Sequence, residues 1–147
     1  MAYADSIRSG SPTFENVASL VEGIFSSLFG LTFSSWTPSY TCSGSMTYTS
    51  VSVTYAKYIR CGKWVIGFFY VSGTVGGTPA RVIGLSYPVT AAASTPGGGA
   101  AFVKDGGNEL GATLSLSTNI NVTRYDAANF SAGSGRVLAG FFCYEAA

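Results

Sequence analysis

An antiparallel all-β domain is the fold class this sequence predicts: a β-sandwich or jelly roll of about seven or eight strands behind one short N-terminal α-helix. Three observations predict it. Runs in which apolar and polar residues alternate recur after Trp36, as in Leu110–Ser117, where Leu110, Ala112, Leu114 and Leu116 oppose Gly111, Thr113, Ser115 and Ser117. Glycine, proline, asparagine and serine clusters separate those runs. Only one stretch has helical spacing: Phe14, Val17, Val21, Ile24, Leu28 and Leu31 recur at alternating steps of three and four.

That stretch is expected to be helical over about residues 12–29. Ser11 suits the N-cap, Pro12 the first helical position and Glu15 the positive end of the helix dipole, while Gly30 is a natural stop. Leu20, Phe25 and Phe29 widen the apolar stripe, which leaves Glu15, Asn16, Ser19, Glu22, Ser26 and Ser27 as the whole polar face. Such a helix packs on its own β domain or on another subunit. The second reading is preferred because so little polar face remains, and it makes Phe14, Val17, Val21, Ile24, Leu28 and Leu31 the candidate anchoring and oligomerisation residues. Residues 1–34 are therefore read as an N-terminal segment and residues 35–147 as the β domain.

The centre of the β domain is Trp36–Gly77. From Thr47 onward, Val51, Val53 and Tyr55 fall on one parity and Tyr48, Ser52 and Thr54 on the other, a half-buried strand. Lys57, Arg60, Gly62 and Lys63 make a polar break. Trp64–Val71 is apolar on both parities, so both its faces are expected to be covered, by a second sheet or by another subunit, and Gly67 inside it predicts a bulge or a close backbone approach. The run Ser72–Pro79 is expected to be a turn. Ala80–Tyr87 reads as a further strand, Ala91–Ala100 as a glycine-rich loop, Ala101–Lys104 as a short strand and Asp105–Asn108 as a turn. Strands at Leu110–Ser117, Ile120–Tyr125 and Val137–Tyr144 follow, with Asp126–Gly135 as a loop.

Composition excludes several chemistries. There is no histidine, which removes Ser-His-Asp and Cys-His catalysis and most zinc sites. The Gly97–Gly99 run lacks the lysine and the following helix of a phosphate-binding loop. No cofactor and no metal are expected. A net charge of +1 with 10% charged residues gives no footprint for nucleic acid, and so little charge beside 47% hydrophobic residues favours association. The polar start of the chain carries no export signal, and Phe14–Phe33, interrupted by Glu15, Asn16 and Glu22, is a poor membrane span. Cys42, Cys61 and Cys143 read as buried reduced thiols, with a Cys42–Cys61 bridge as the alternative. Glycoside cleavage needs two converging carboxylates, and only Asp105, Glu109 and Asp126 qualify; they read as turn and surface carboxylates. Asp105, Asn108 and Glu109 match no calcium loop. Tyr40, Tyr48, Tyr87 and Tyr125 lie near turns and are candidates for stacking on sugar rings, against core packing as the plain reading.

The pattern W-T-P, G-S-M-T-Y, Y-I-R-C-G-K-W-V and S-G-T-V-G-G-T resembles a β-sandwich module of tailed-bacteriophage virion-surface proteins. Trp36, Pro38, Gly44, Met46, Thr47, Tyr58, Gly62, Val65, Gly73, Thr74 and Gly77 carry the likeness, and the C-terminal run with Gly140 and Tyr144 fits it. The resemblance spans about Ser35–Ala147. It implies a non-enzymatic virion structural protein, a homotrimeric surface fibre or tip of tail-fibre or receptor-binding type, assembled in the host cytoplasm and attached to other virion proteins by its N-terminal segment. The alternatives are a capsid decoration or head-fibre protein and a polysaccharide-cleaving tail enzyme. A host surface glycan or protein is the implied outside partner. On the adhesin reading, exposed aromatics are expected at Gly73–Thr78, Ser94–Gly99 or Asp126–Gly135.

Overall fold

A computed structural model describes residues 14–93 and 97–147. The chain divides into two compact units, residues 1–34 and 35–147. In the first, helix α1 (Phe14–Phe29) is stopped at Gly30, whose φ of 61° is left-handed and whose N–H donates to the Ser26 carbonyl at 3.1 Å. The expected cap at Ser11 and Pro12 lies outside the described residues. Beyond the helix, Phe33 turns back edge-on to Phe25, with ring centroids 5.8 Å apart.

Beyond the helix the regular structure of the described residues is β, as expected, but it comprises nine strands where about seven or eight were expected. These are β1 (Ser34–Ser35), β2 (Tyr40–Cys42), β3 (Met46–Cys61), β4 (Trp64–Gly77), β5 (Val82–Leu85), β6 (Gly97–Asp105), β7 (Asn108–Leu116), β8 (Ile120–Arg124) and β9 (Gly133–Glu145). The two additional strands, β1 and β2, are two and three residues long, too short for any alternation to reveal. All nine join one sheet in the order β1-β3-β4-β9-β6-β7-β8-β5-β2, and the strand pairings are antiparallel. The sheet curls until its far ends approach, with the Tyr40 ring of β2 edge-on to the Tyr48 ring of β3 at 5.4 Å. The concave face encloses a single core to which Phe69, Val71, Ile83, Leu85, Val103, Val122, Leu138 and Phe142 all contribute.

Several sequence expectations need correction. β3 is a strand from Met46, but register shifts between Thr49 and Ser52 and between Val53 and Tyr55 break its alternation, and Ser50 has a φ of 52°. Met46 and Tyr48 are thus buried while Val53 is exposed. The polar break is only the Gly62–Lys63 turn of a long β3–β4 hairpin. Within the chain only one face of β4 lies in the core: its odd-numbered residues Val65, Phe69, Val71 and Val75 are buried, the even face is half-buried, and Trp64 at its start is 45% exposed, so no second sheet covers that face. Nor does the chain turn at Ser72; β4 continues to Gly77. The inward glycines of β4 are seats for rings. A Cβ at Gly67 would strike the Phe142 ring, and one at Gly73 would lie 2.7 Å from the Tyr48 ring. The glycine-rich loop is shorter than expected, because Gly97–Gly99 already belongs to β6 and pairs with Tyr144, Cys143 and Phe142. Side chains at Gly97 and Gly99 would collide with the carbonyl oxygens of Cys143 and Phe141, so absence of a Cβ here serves close strand approach.

Candidate functional site

One end of the curled sheet carries an uncharged polar groove. β5 runs out into Ser86–Thr90, and the β7–β8 turn brings Ser117, Thr118 and Asn119 opposite that segment. Between them lies a cavity of about 650 Å³, walled also by Leu116 and the Ala91–Ala93 run. Its side chains are held in place. The Tyr87 hydroxyl donates to the Ser117 carbonyl at 3.2 Å, and its ring lies 4.6 Å from that of Tyr144. The Tyr144 hydroxyl in turn donates to the Val89 carbonyl at 2.6 Å and accepts from the Val89 N–H at 3.2 Å. Burial pushes the Tyr87 phenol up from its ordinary value, so it is a neutral hydroxyl at neutral pH. A second cavity of about 250 Å³, lined by Thr41, Ser43, Asn121 and their neighbours, adjoins the first. Two bonds bridge them: Asn119 Nδ2 donates to Thr41 Oγ1 at 3.2 Å, and Asn121 Nδ2 to Ser117 Oγ at 2.9 Å.

The convex face of β3, β4, β9 and β6 is the second feature. Paired residues share a face, so the register lays out rows across the sheet: Ile59, Ile66 and Cys143; Lys57, Phe68 and Phe141; Tyr55, Tyr70, Ala139 and Phe102. Phe68 meets Phe141 with ring centroids 6.5 Å apart, and Tyr70 meets Phe102 at 6.4 Å. Trp64 and Phe141 remain 45% and 46% exposed. Lys57 puts a charge in the middle row, its ammonium 5.2 Å from the centre of the Tyr55 ring, and Lys63 faces Glu145 at 3.6 Å.

The carboxylates do not form a cleavage pair. The Asp105 side chain is wholly buried and ion-paired with Arg124 at 2.7 Å and Arg136 at 2.9 Å; it also accepts from the Ser131 N–H. Asp126 sits on the other arm of the same Arg124 at 2.6 Å, and that bond lowers its pKa below the usual carboxylate value. Glu109 is exposed and pairs in register with Lys104. The two arginines also tie down the loop after Asp126: Arg124 donates to the Asn129 carbonyl, and Arg136 to those of Ser131, Ala132 and Ser134. The cluster braces the expected loop Asp126–Gly135, which is shorter than expected because β9 already begins at Gly133.

The remaining sequence candidates fall as follows. On α1, Val17, Ile24 and Leu28 are exposed, Leu28 to 69%, while Val21 is half-buried and Phe14 opens the helix; Leu31, also half-buried, lies beyond its end. Trp36, Pro38, Met46, Gly73, Gly140 and Tyr144 are buried, Thr47 is exposed, and Tyr58 and Thr74 are half-buried. Gly44, Gly62 and Gly77 take φ values of 61°, 62° and 66° at chain reversals. Tyr40 and Tyr48 belong to the core, Tyr125 is exposed, and Tyr87 is the candidate that lines the groove. All three cysteines are free, which overturns the Cys42–Cys61 alternative. Among the described residues, no helix is long and apolar enough to cross a membrane. Sequence reasoning missed the serine, threonine and asparagine lining of the groove, since isolated Ser117, Thr118 and Asn119 look like any turn.

No protein-family model, no curated protein and no solved structure matches this chain.

Proposed function

We propose that this protein is a non-enzymatic structural component of a tailed-phage virion: a homotrimeric surface fibre or tip of tail-fibre or receptor-binding type, attached through α1. On this reading the two flanks of the curled sheet act as the two leaves of a jelly roll. The observation that carries the proposal is the convex apolar face. Trp64 and Phe141 stand exposed on adjacent strands of this face, and on a chain with 10% charged residues such an apolar pair suits contact with another subunit. A further copy of the chain is its occupant: Lys63 and Glu145 offer both signs of charge beside the face, as a head-to-tail contact in a cyclic trimer needs. The exposed Val17, Ile24 and Leu28 of α1 give the N-terminal segment its own apolar stripe for other virion proteins. The non-enzymatic reading is supported by the carboxylates, since Asp105 and Asp126 are both engaged by Arg124.

A gold-conjugated antibody against residues 35–147, applied to intact particles, tests the assignment. Label at the tail end supports the fibre or receptor-binding role. Label over the head replaces it with capsid decoration, and particles without label overturn the virion reading. Deleting residues 1–34 is expected to leave a soluble β domain that no longer joins particles; a truncated protein that still assembles refutes the anchoring role of α1.

A further inference from the structure

We infer that the groove between Tyr87–Thr90 and Ser117–Asn119, continued past the Asn119–Thr41 bond, is a binding site for a neutral oligosaccharide. The argument begins with what its lining cannot hold well. Among the described residues, no side chain lining either cavity carries a charge, so phosphate, sulfate or carboxylate groups find no cation there and metal ions no anion. An apolar ligand would cover the Thr90, Thr118 and Asn119 polar groups without pairing them. Much of the backbone a peptide strand would pair with is already bonded: Ser86 N–H to the Ser39 carbonyl, Ala92 N–H to Glu145, Ser117 N–H to Asn119 and Ala147 N–H to Thr90. What remains is a ligand that is uncharged, wet and rich in paired donors and acceptors.

A sugar chain has that chemistry, and the groove supplies its counterpart. The Thr90 and Thr118 hydroxyls each offer a donor and an acceptor. The Asn119 amide spends one N–H on Thr41 and keeps a second N–H and its carbonyl oxygen. Tyr87 adds an aromatic wall, steadied from behind by Tyr144, against which the C–H face of a ring can lie. Leu116 and the alanine run add apolar area. A volume of about 650 Å³ leaves room for more than one linked ring, and the cavity of about 250 Å³ lies beyond the Asn119–Thr41 bond.

The inference deepens the surface-protein reading and rests on it for its biological setting, but the two fail separately, since binding by the purified chain does not depend on where particles carry it. The test is a chemical-shift titration of the isotope-labelled full chain with glucan, mannan, galactan and N-acetylglucosamine hexasaccharides. A sulfated hexasaccharide and an alanine-rich peptide serve as contrasting probes. The expected result is binding by at least one neutral hexasaccharide that moves the amides of Ala91–Ala93 and Ser117–Asn119. Thr118→Trp, which fills the groove at an exposed turn, and Asn119→Ala are each expected to weaken that binding by about tenfold. Glu109→Gln, away from the groove, leaves it unchanged. Absence of binding by every neutral probe, preference for the sulfated sugar or the peptide, or shifts confined to another surface would overturn the assignment. So would full affinity in a correctly folded Thr118→Trp variant.

Discussion

Asp105 shows how much one residue's role depends on partners distant in sequence. Read alone, it is a turn carboxylate beside two glycines; folded, it is a wholly buried anion between Arg124 and Arg136. Asp105→Asn would leave two guanidinium groups without their shared counter-charge, and a loss of about 3–5 kcal/mol of stability is expected, read as a fall in the urea unfolding midpoint at unchanged slope. A loss below 1 kcal/mol, roughly a surface pair's worth, would mean that the cluster is solvated. Tyr40 makes the opposite case. Its hydroxyl is buried without a hydrogen-bond partner among the described residues, and burial pushes its pKa up to about 12. Tyr40→Phe removes that desolvated group and keeps the ring on Tyr48, so a gain of about 1 kcal/mol is expected. A lowered melting temperature for this variant would show that the hydroxyl is satisfied in solution.

At the scale of elements, β4 and β9 are the informative pair. The sequence of β4 reads apolar throughout, which ordinarily means cover on both sides. Only the face bearing Val65, Phe69 and Val71 lies in the core; the other face ends in half-exposed Trp64 and Phe141. If that face is the contact between copies, the double variant Trp64→Ser with Phe141→Ser is expected to be monomeric in sedimentation equilibrium with an unchanged circular dichroism spectrum. An oligomer that persists would move the interface elsewhere. The alternation of β7 and the turn at Gly106–Gly107 were legible because each is a local pattern. The bulges of β3 were not, since an extra residue shows only when the partner strand is known, and Ser50 carries no mark of its left-handed backbone.

For the whole molecule, an all-β class and one short helix could be read from periodicity, while the strand order could not. β4 pairs with β9 and β2 with β5, so most neighbours in the sheet are distant in sequence. The groove was equally hidden: Tyr87 was visible as an aromatic near a turn, but nothing local told that Ser117–Asn119 would face it. The same closed core sets an alkaline limit. Burial raises Tyr40 and Tyr144 to about 12 and Tyr48 further still. In the unfolded chain these phenols ionise near pH 10 (about 10 for a free tyrosine), while the folded ones keep their protons, so the stabilisation is fully present below that pH and drains away as pH climbs from about 10 toward 12. Phenolate absorbance that appears late and together with loss of β-sheet dichroism is the expected signature; early ionisation with the fold intact would contradict it.

The chain has two tryptophans, and the fold has put them in opposite surroundings. Trp36 is 8% exposed and edge-on to Phe142 at 5.5 Å; Trp64 stands 45% exposed on the convex face. Their emission therefore separates into a blue component, shielded from dissolved quenchers, and a red one that acrylamide reaches. The first reports on whether the chain is folded and the second on whether the convex face is covered, so the unmodified protein carries its own optical label for assembly.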